Sequence, residues 1–248
     1  HYEKQVEWLA PIPRISLSEF RMLDDGVAYM ALNDFSRTEI VDEFRARLPD
    51  LAAADAIIID LRKNGGGNSN NSSAIVGHFT SVPFKGASWR TPVNDAVSRA
   101  WGKASEKYDS LEKYKEYYFG HVYRSVEATE HQPSDGIKLT RPTLVLIGRR
   151  TASAAEDFLI MADGIEHLTT MGEPTHGSTG QPLSLELPGG VSARISAKRD
   201  FYPDGREFIG RGIQPDIPVK ATVEDIRAGR DVVLKKALDY LAESRSPD

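Results

Sequence analysis

The apolar run TLVLIG (residues 143–148) passes almost directly into TASAAEDFLIMADGIE (residues 151–166), and no other stretch constrains the chain as much. Leu144, Val145, Leu146 and Ile147 are consecutive apolar residues, as in a strand covered on both faces. Gly148 ends the run, residues 149–151 turn, and a helix begins at or next to Ser153. A strand-turn-helix corner of this kind puts one hydroxyl at the carboxyl end of a sheet, beside amides not yet committed to the helix. Ser153 then has two possible uses. It can cap the helix, as serine often does, or it can attack a carbonyl while the Ala154 amide faces the developing oxyanion.

A second buried run, AIIID (residues 56–60), opens into LRKNGGGNSNNSSAIVGHF. Three glycines behind a buried strand suit a loop whose backbone must approach something closely, because glycine permits positive φ and carries no side chain. A second oxyanion amide, from Gly66 or Gly67, is one such use; a plain flexible turn is the other. Asp60 and Arg62 can buttress the loop through a charge-assisted bond. The Gly-Lys-Ser/Thr ending of a phosphate-binding P-loop is missing.

The flanking segments read as α/β. VAYMAL (residues 27–32) alternates well enough for a strand, and Ser36 with Glu39 forms a capping box for a helix over 37–48. Residues 88–133 are polar and aromatic-rich, helical over 95–118, and read as an insertion over one end of the sheet. Their aromatic residues pack locally or line a groove for an extended peptide. Hairpin turns fall at 188–190 and 203–205, and an amphipathic helix at 223–242 closes the chain. The whole of 1–248 is read as one catalytic core carrying that insertion. Because the first residue is His1 and not Met, the chain is expected to be a piece or a processed form.

Composition narrows the function classes. The 248 residues are 40% hydrophobic and 27% charged, which is ordinary for a globular protein. A net charge of -5 without a Lys/Arg block argues against nucleic acid as partner. The absence of cysteine excludes thiolate catalysis, disulfides and cysteine-based zinc sites. No run is long enough for a membrane span. His121 and His131 lack metal-ligand spacing and read as surface residues, His78 and His167 as structural ones. No metal and no cofactor are expected.

DLRKNGGG, TLVLIGRRTASAAE, GEPTHGSTGQP and GRGIQPDIPV together, in order and spacing, resemble the catalytic core of the tail-specific or C-terminal processing serine peptidases, over roughly residues 26–241. That family includes the tricorn core protease and the interphotoreceptor retinoid-binding protein repeats. The resemblance implies a crotonase-like (ClpP/crotonase) stack of ββα units and a serine endopeptidase acting on extended polypeptides through an acyl-enzyme. It puts the nucleophile on Ser153 and the oxyanion hole on Ala154 with Gly66 or Gly67. By kinship alone it implies a periplasmic or other extracytoplasmic setting.

There is one departure. Where the processing peptidases carry a lysine base in a Gly-Lys-Gly segment, this chain has Ser178, which cannot replace an amine as proton acceptor. The tricorn-like branch uses a histidine from an N-terminal helical region, which is expected to lie upstream of His1. Within the chain, His176 stands as a substitute base or a substrate wall, and Glu207 as an orienting acid. Glu156, one turn after Ser153, is expected to support the helix or a loop. The competing reading is a non-catalytic binding module that holds a peptide or an apolar small molecule. Acyl-CoA chemistry on the same fold is discounted, since it does not require a serine at the corner.

Overall fold

The computed structural model describes residues 16–93, 95–120 and 122–245. Most of the lead-in expected over 1–18, and His121, lie outside the described residues. The strands in chain order are β1 (Ser18–Met22), β2 (Val27–Leu32), β3 (Ala56–Asp60), β4 (Phe84–Lys85), β5 (Ser88–Pro92), β6 (Tyr123–Val126), β7 (Glu130–His131), β8 (Thr143–Ile147), β9 (Leu168–Gly172), β10 (Leu183–Leu187), β11 (Val191–Ile195), β12 (Arg199–Phe201) and β13 (Ile217–Pro218). The helices are α1 (Glu39–Ala53), α2 (Ser69–Val76), α3 (Ala96–Ala104), α4 (Lys115–Phe119), α5 (Ala154–Ala162), α6 (Val223–Arg227) and α7 (Val232–Arg245).

A six-stranded sheet in the order β1-β2-β3-β8-β9-β13 carries the core, parallel throughout except for the antiparallel β1-β2 pair. The unbroken apolar runs follow from its two covered faces. Ile57, Ile59, Val145 and Ile147 point into the larger core with α1, α2 and α5, while Ala56, Ile58, Leu144 and Leu146 point to the other side. There Val233, Ala237 and Leu241, spaced four apart, give α7 the apolar stripe that seals the second face. The fold is therefore α/β.

Three helical expectations change for identifiable reasons. The helix expected to stop at Leu48 runs through Pro49 to Ala53, because Leu51 continues the buried face of Ile40, Val41, Phe44 and Leu48. One lost hydrogen bond is outweighed by that burial. Ser36 does not cap it; the Ser36 hydroxyl and amide both turn to Asp34 instead. The stretch expected as one helix over 95–118 doubles back as α3, a 3-10 turn (Asp109–Tyr114) and α4. Gly102 allows this: a Cβ there would lie 2.3 Å from the Tyr114 carbonyl oxygen.

The terminal helix also breaks, between α6 and α7, around Gly229 at φ 66°. Asp231 is the cause. Its carboxylate caps α7 at the Leu234 amide and accepts both terminal nitrogens of Arg62, at 2.7 and 2.8 Å. Arg62 also binds Asp60 at 2.6 Å, and the Tyr29 hydroxyl donates to the same carboxylate at 2.8 Å. The expected Asp60–Arg62 buttress is thus one half of a clamp that ties the carboxyl end of β3 to α7.

Asp60 is nearly buried, so Arg62→Met strands its charge. The expected cost is roughly 3 kcal/mol in urea denaturation, partly recovered when Asp60→Asn is added.

Candidate active site

The corner forms as the sequence requires. β8 ends at Ile147, Thr151 folds its hydroxyl under the turn to the Leu61 carbonyl at 2.9 Å, and α5 begins after Ser153. Ser153 is held at φ 53°, ψ −123°, a region that side chains seldom occupy. Such strain costs of order 1–3 kcal/mol and persists only where surrounding bonds fix it. Here the Ser153 amide donates to Glu156 Oε2 at 3.0 Å and to the Ser178 carbonyl at 3.1 Å. Ser153 and Glu156 form a capping box at the helix start, Ser153 taking the Glu156 amide and the Glu156 carboxylate taking the Ser153 amide. The serine is half-buried, and its hydroxyl donates no hydrogen bond among the described residues.

Glu156 is wholly buried and supports both sides of the corner, as expected. Besides the Ser153 amide, its carboxylate accepts the Thr175 hydroxyl at 2.6 Å and the amides of Gly177 and Ser178 at 2.7 and 3.0 Å. It fixes the 175–178 segment against the helix start.

The glycine loop lies against the same corner. A Cβ on Gly66 would sit 2.5 Å from Ser153 Cβ and 2.9 Å from the Ala154 nitrogen. Asn64, fully buried, organises the loop: its carboxamide donates to the Leu32 carbonyl and accepts from the Gly66 amide, and its own carbonyl accepts from the Ala152 amide. On the far side Phe35 clips the loop by bonds to the Gly66 carbonyl and the Asn68 amide. Of the two candidate glycines, Gly66 is buried with its amide occupied, whereas Gly67 is exposed with no hydrogen bond to its amide among the described residues. The Ala154 amide is likewise free among them.

Ser153 opens onto a cleft of about 890 Å³, lined also by Gly67, Ser69, Asp157, His176 and Lys198. His176 is exposed there, and only its main chain is bonded, to the Thr151 carbonyl. Glu207 is elsewhere. It pairs with Arg199 at 3.0 Å and lines a separate cleft with Tyr202 and Phe208, so the structure does not bring it to Ser153. Among the other histidines, burial lowers the pKa of His78, His131 and His167. His131 is half-buried and stacked on Phe84 at 5.4 Å instead of lying on the surface.

Sequence reasoning passed over Asn64, Asp157, Lys198 and Asp200. Asp157 takes the Ser69 hydroxyl on one oxygen and leaves the other buried without a partner. Burial pushes its carboxyl up to about 6, against that hydrogen bond, and the charge of Asp200 adds to the shift. Asp200 is pushed up by burial too, against its bond from Lys198. No local pattern marks Asp157, Lys198 and Asp200, which line up only where β12, α2 and α5 come together.

A mainly parallel α/β sheet thus presents a strained serine against a glycine loop. The profile of peptidase family S41 matches residues 26–219, and the chain belongs to that family. Similar solved structures include a candidate peptidase from Parabacteroides merdae, 27% identical over 97% of this chain and 70% of that one, with a TM-score of 0.66. Mature CPAF is 17% identical over 93% of this chain and 55% of that one, TM-score 0.68. The photosystem II D1 C-terminal processing protease is 17% identical over 83% and 49%, TM-score 0.52. The chain therefore spans about half the length of the latter two. Among the described residues no helix is long and apolar enough to cross a membrane.

Two measurements probe the corner. Gly66→Ala should leave the far-ultraviolet circular dichroism unchanged while abolishing labelling of Ser153 by a fluorophosphonate, because the new methyl group displaces the loop from the serine. The raised Asp157 carboxyl keeps its proton from the ordinary value of 3.8 up to about 6, where the unfolded chain has released it. The contribution of Asp157 to stability should accordingly fall as pH rises through that window. Asp157→Asn should remove that contribution, read as a difference between the two proteins' urea midpoints across the window.

Proposed function

We propose that the chain hydrolyses polypeptides through an acyl-enzyme on Ser153, with the amides of Ala154 and Gly67 as the oxyanion hole. The observation that carries this reading is the strained serine set against a glycine loop whose Gly67 amide is unpaired among the described residues. Ser153 Oγ would attack the scissile carbonyl carbon and surrender its proton to a base. The amine then leaves with a proton, and water releases the acid. The free Gly67 amide makes it the better partner for Ala154 than Gly66, and strict fixation of the loop by Asn64 suits donors that must be in place before charge develops.

His176 is the histidine that lines the cleft, which keeps it as the candidate base within the chain; Glu207, paired with Arg199, is set aside as its orienting acid. The crotonase-like description of the core, the reading of 88–133 as an insertion on one catalytic core, and an extracytoplasmic setting all belong to the same proposal. A module for apolar small molecules fits less well, since no large aliphatic or aromatic side chain lines the Ser153 cleft.

A fluorophosphonate should label the chain at a single site, and Ser153→Ala should abolish the label without lowering the melting temperature by more than a few degrees. Equal labelling of both proteins would remove Ser153 from the reaction.

A further inference from the structure

The cleft beside Ser153 differs in chemistry from the others on the molecule. A separate cleft of about 600 Å³ includes Phe79, Val82, Phe84, Ile160 and Met161 in its walls, beside charged groups such as Lys85 and Glu166. Around Ser153 the walls are instead hydroxyls, carboxamides and charges, including Asn70, Thr179, Gln181, Arg194 and Ser196. An aliphatic side chain bound there would gain little burial and would dry out polar groups without giving them partners.

Lys198 is the most firmly held of these groups. Its side chain is 16% exposed, and its ammonium is paired with Asp200, which is 1% exposed. The Trp89 ring lies 5.3 Å from the same nitrogen. Trp89 belongs to β5, which pairs with β12 just beyond Lys198, so the 88–133 segment braces this wall. An ammonium has three N–H donors, and one is used by Asp200. The carboxylate on the wall, Asp157, already takes the Ser69 hydroxyl on one oxygen and has the other buried. The cleft thus sets two cationic donors, Lys198 and Arg194, against one carboxylate that is already engaged.

We infer that this subsite selects a substrate residue whose side chain accepts hydrogen bonds, a carboxamide or carboxylate, and that Lys198 is the residue that makes the selection. The inference rests on Ser153 being the nucleophile. Sites built to hydrogen-bond a substrate group discriminate strongly against analogues that lack it. Trp89 and Asp200 act only through Lys198, as positioning residues.

The test uses the full chain and peptidyl boronic acids, which form a tetrahedral adduct with a serine hydroxyl. The residue beside boron is methionine sulfone, norleucine or lysine, three side chains of similar length that accept, do neither, or donate. The sulfone compound should bind at least about tenfold more tightly than the norleucine compound. Lys198→Met combined with Asp200→Asn, which avoids stranding the buried acid, should bring that ratio close to one at an unchanged melting temperature. Lys198→Arg should retain it. Norleucine or lysine binding as tightly as the sulfone, or a ratio indifferent to the Lys198→Met change, overturns the inference. If no compound binds in a manner lost in Ser153→Ala, the nucleophile assignment itself fails and the subsite falls with it.

Discussion

Four hydrogen bonds converge on the carboxylate of Glu156, and the geometry of the Ser153 corner depends on them. Two segments far apart in the chain meet there: the Ser153 amide from the 151–153 turn, and the Gly177 and Ser178 amides from the 175–178 loop. A single buried carboxylate satisfies three amides and one hydroxyl. Charge-assisted bonds of this type are about twice as strong as neutral ones, so together they can hold Ser153 in a conformation that its own backbone disfavours. The Thr175 hydroxyl, while donating to Glu156, accepts from the Ile213 amide at 2.7 Å. The network thereby reaches GRGIQPD, the last of the segments that resemble the peptidase family.

The glycine loop is placed by a different device. Its backbone is pressed between Phe35 on one side and Ser153 on the other, and a Cβ at Gly67 would fall 2.1 Å from Phe35 C. Phe35 is itself anchored, its ring stacked on Phe158 of α5 at 6.2 Å between centroids. The helix that starts after Ser153 therefore supports, through its first two turns, the residue that fixes the loop opposite. Substrate contacts at this site would be made by groups whose positions were set by the core.

What the sequence revealed and what it concealed divide along the range of the interactions involved. Buried strands at 56–60 and 143–147 and the corner at Ser153 are local patterns, visible because a doubly covered strand must be apolar at every position. Helix ends were misjudged where a distant partner intervened: Leu51 drew α1 past a proline, and Arg62 drew Asp231 out of what would have been a longer terminal helix. Glu207 was proposed from its nearness in sequence to GRGIQPD, but chain proximity says nothing of direction, and its carboxylate turns to Arg199. Asn64 was written in the DLRKNGGG motif all along. Its importance comes from three partners, at Leu32, Gly66 and Ala152, that only the folded chain assembles.

Ser178 shows why a chemical replacement at this position need not disturb the fold. Its amide donates to Glu156 and its carbonyl accepts from Ser153, so both of its structural duties are performed by the main chain. The side chain is exposed at the cleft and takes no part in either bond. A lysine or a serine can therefore occupy the position with the corner equally well supported. Support of the corner is therefore separable from the chemistry of the side chain at 178: the strained serine and the loop facing it are held by bonds in which that side chain takes no part.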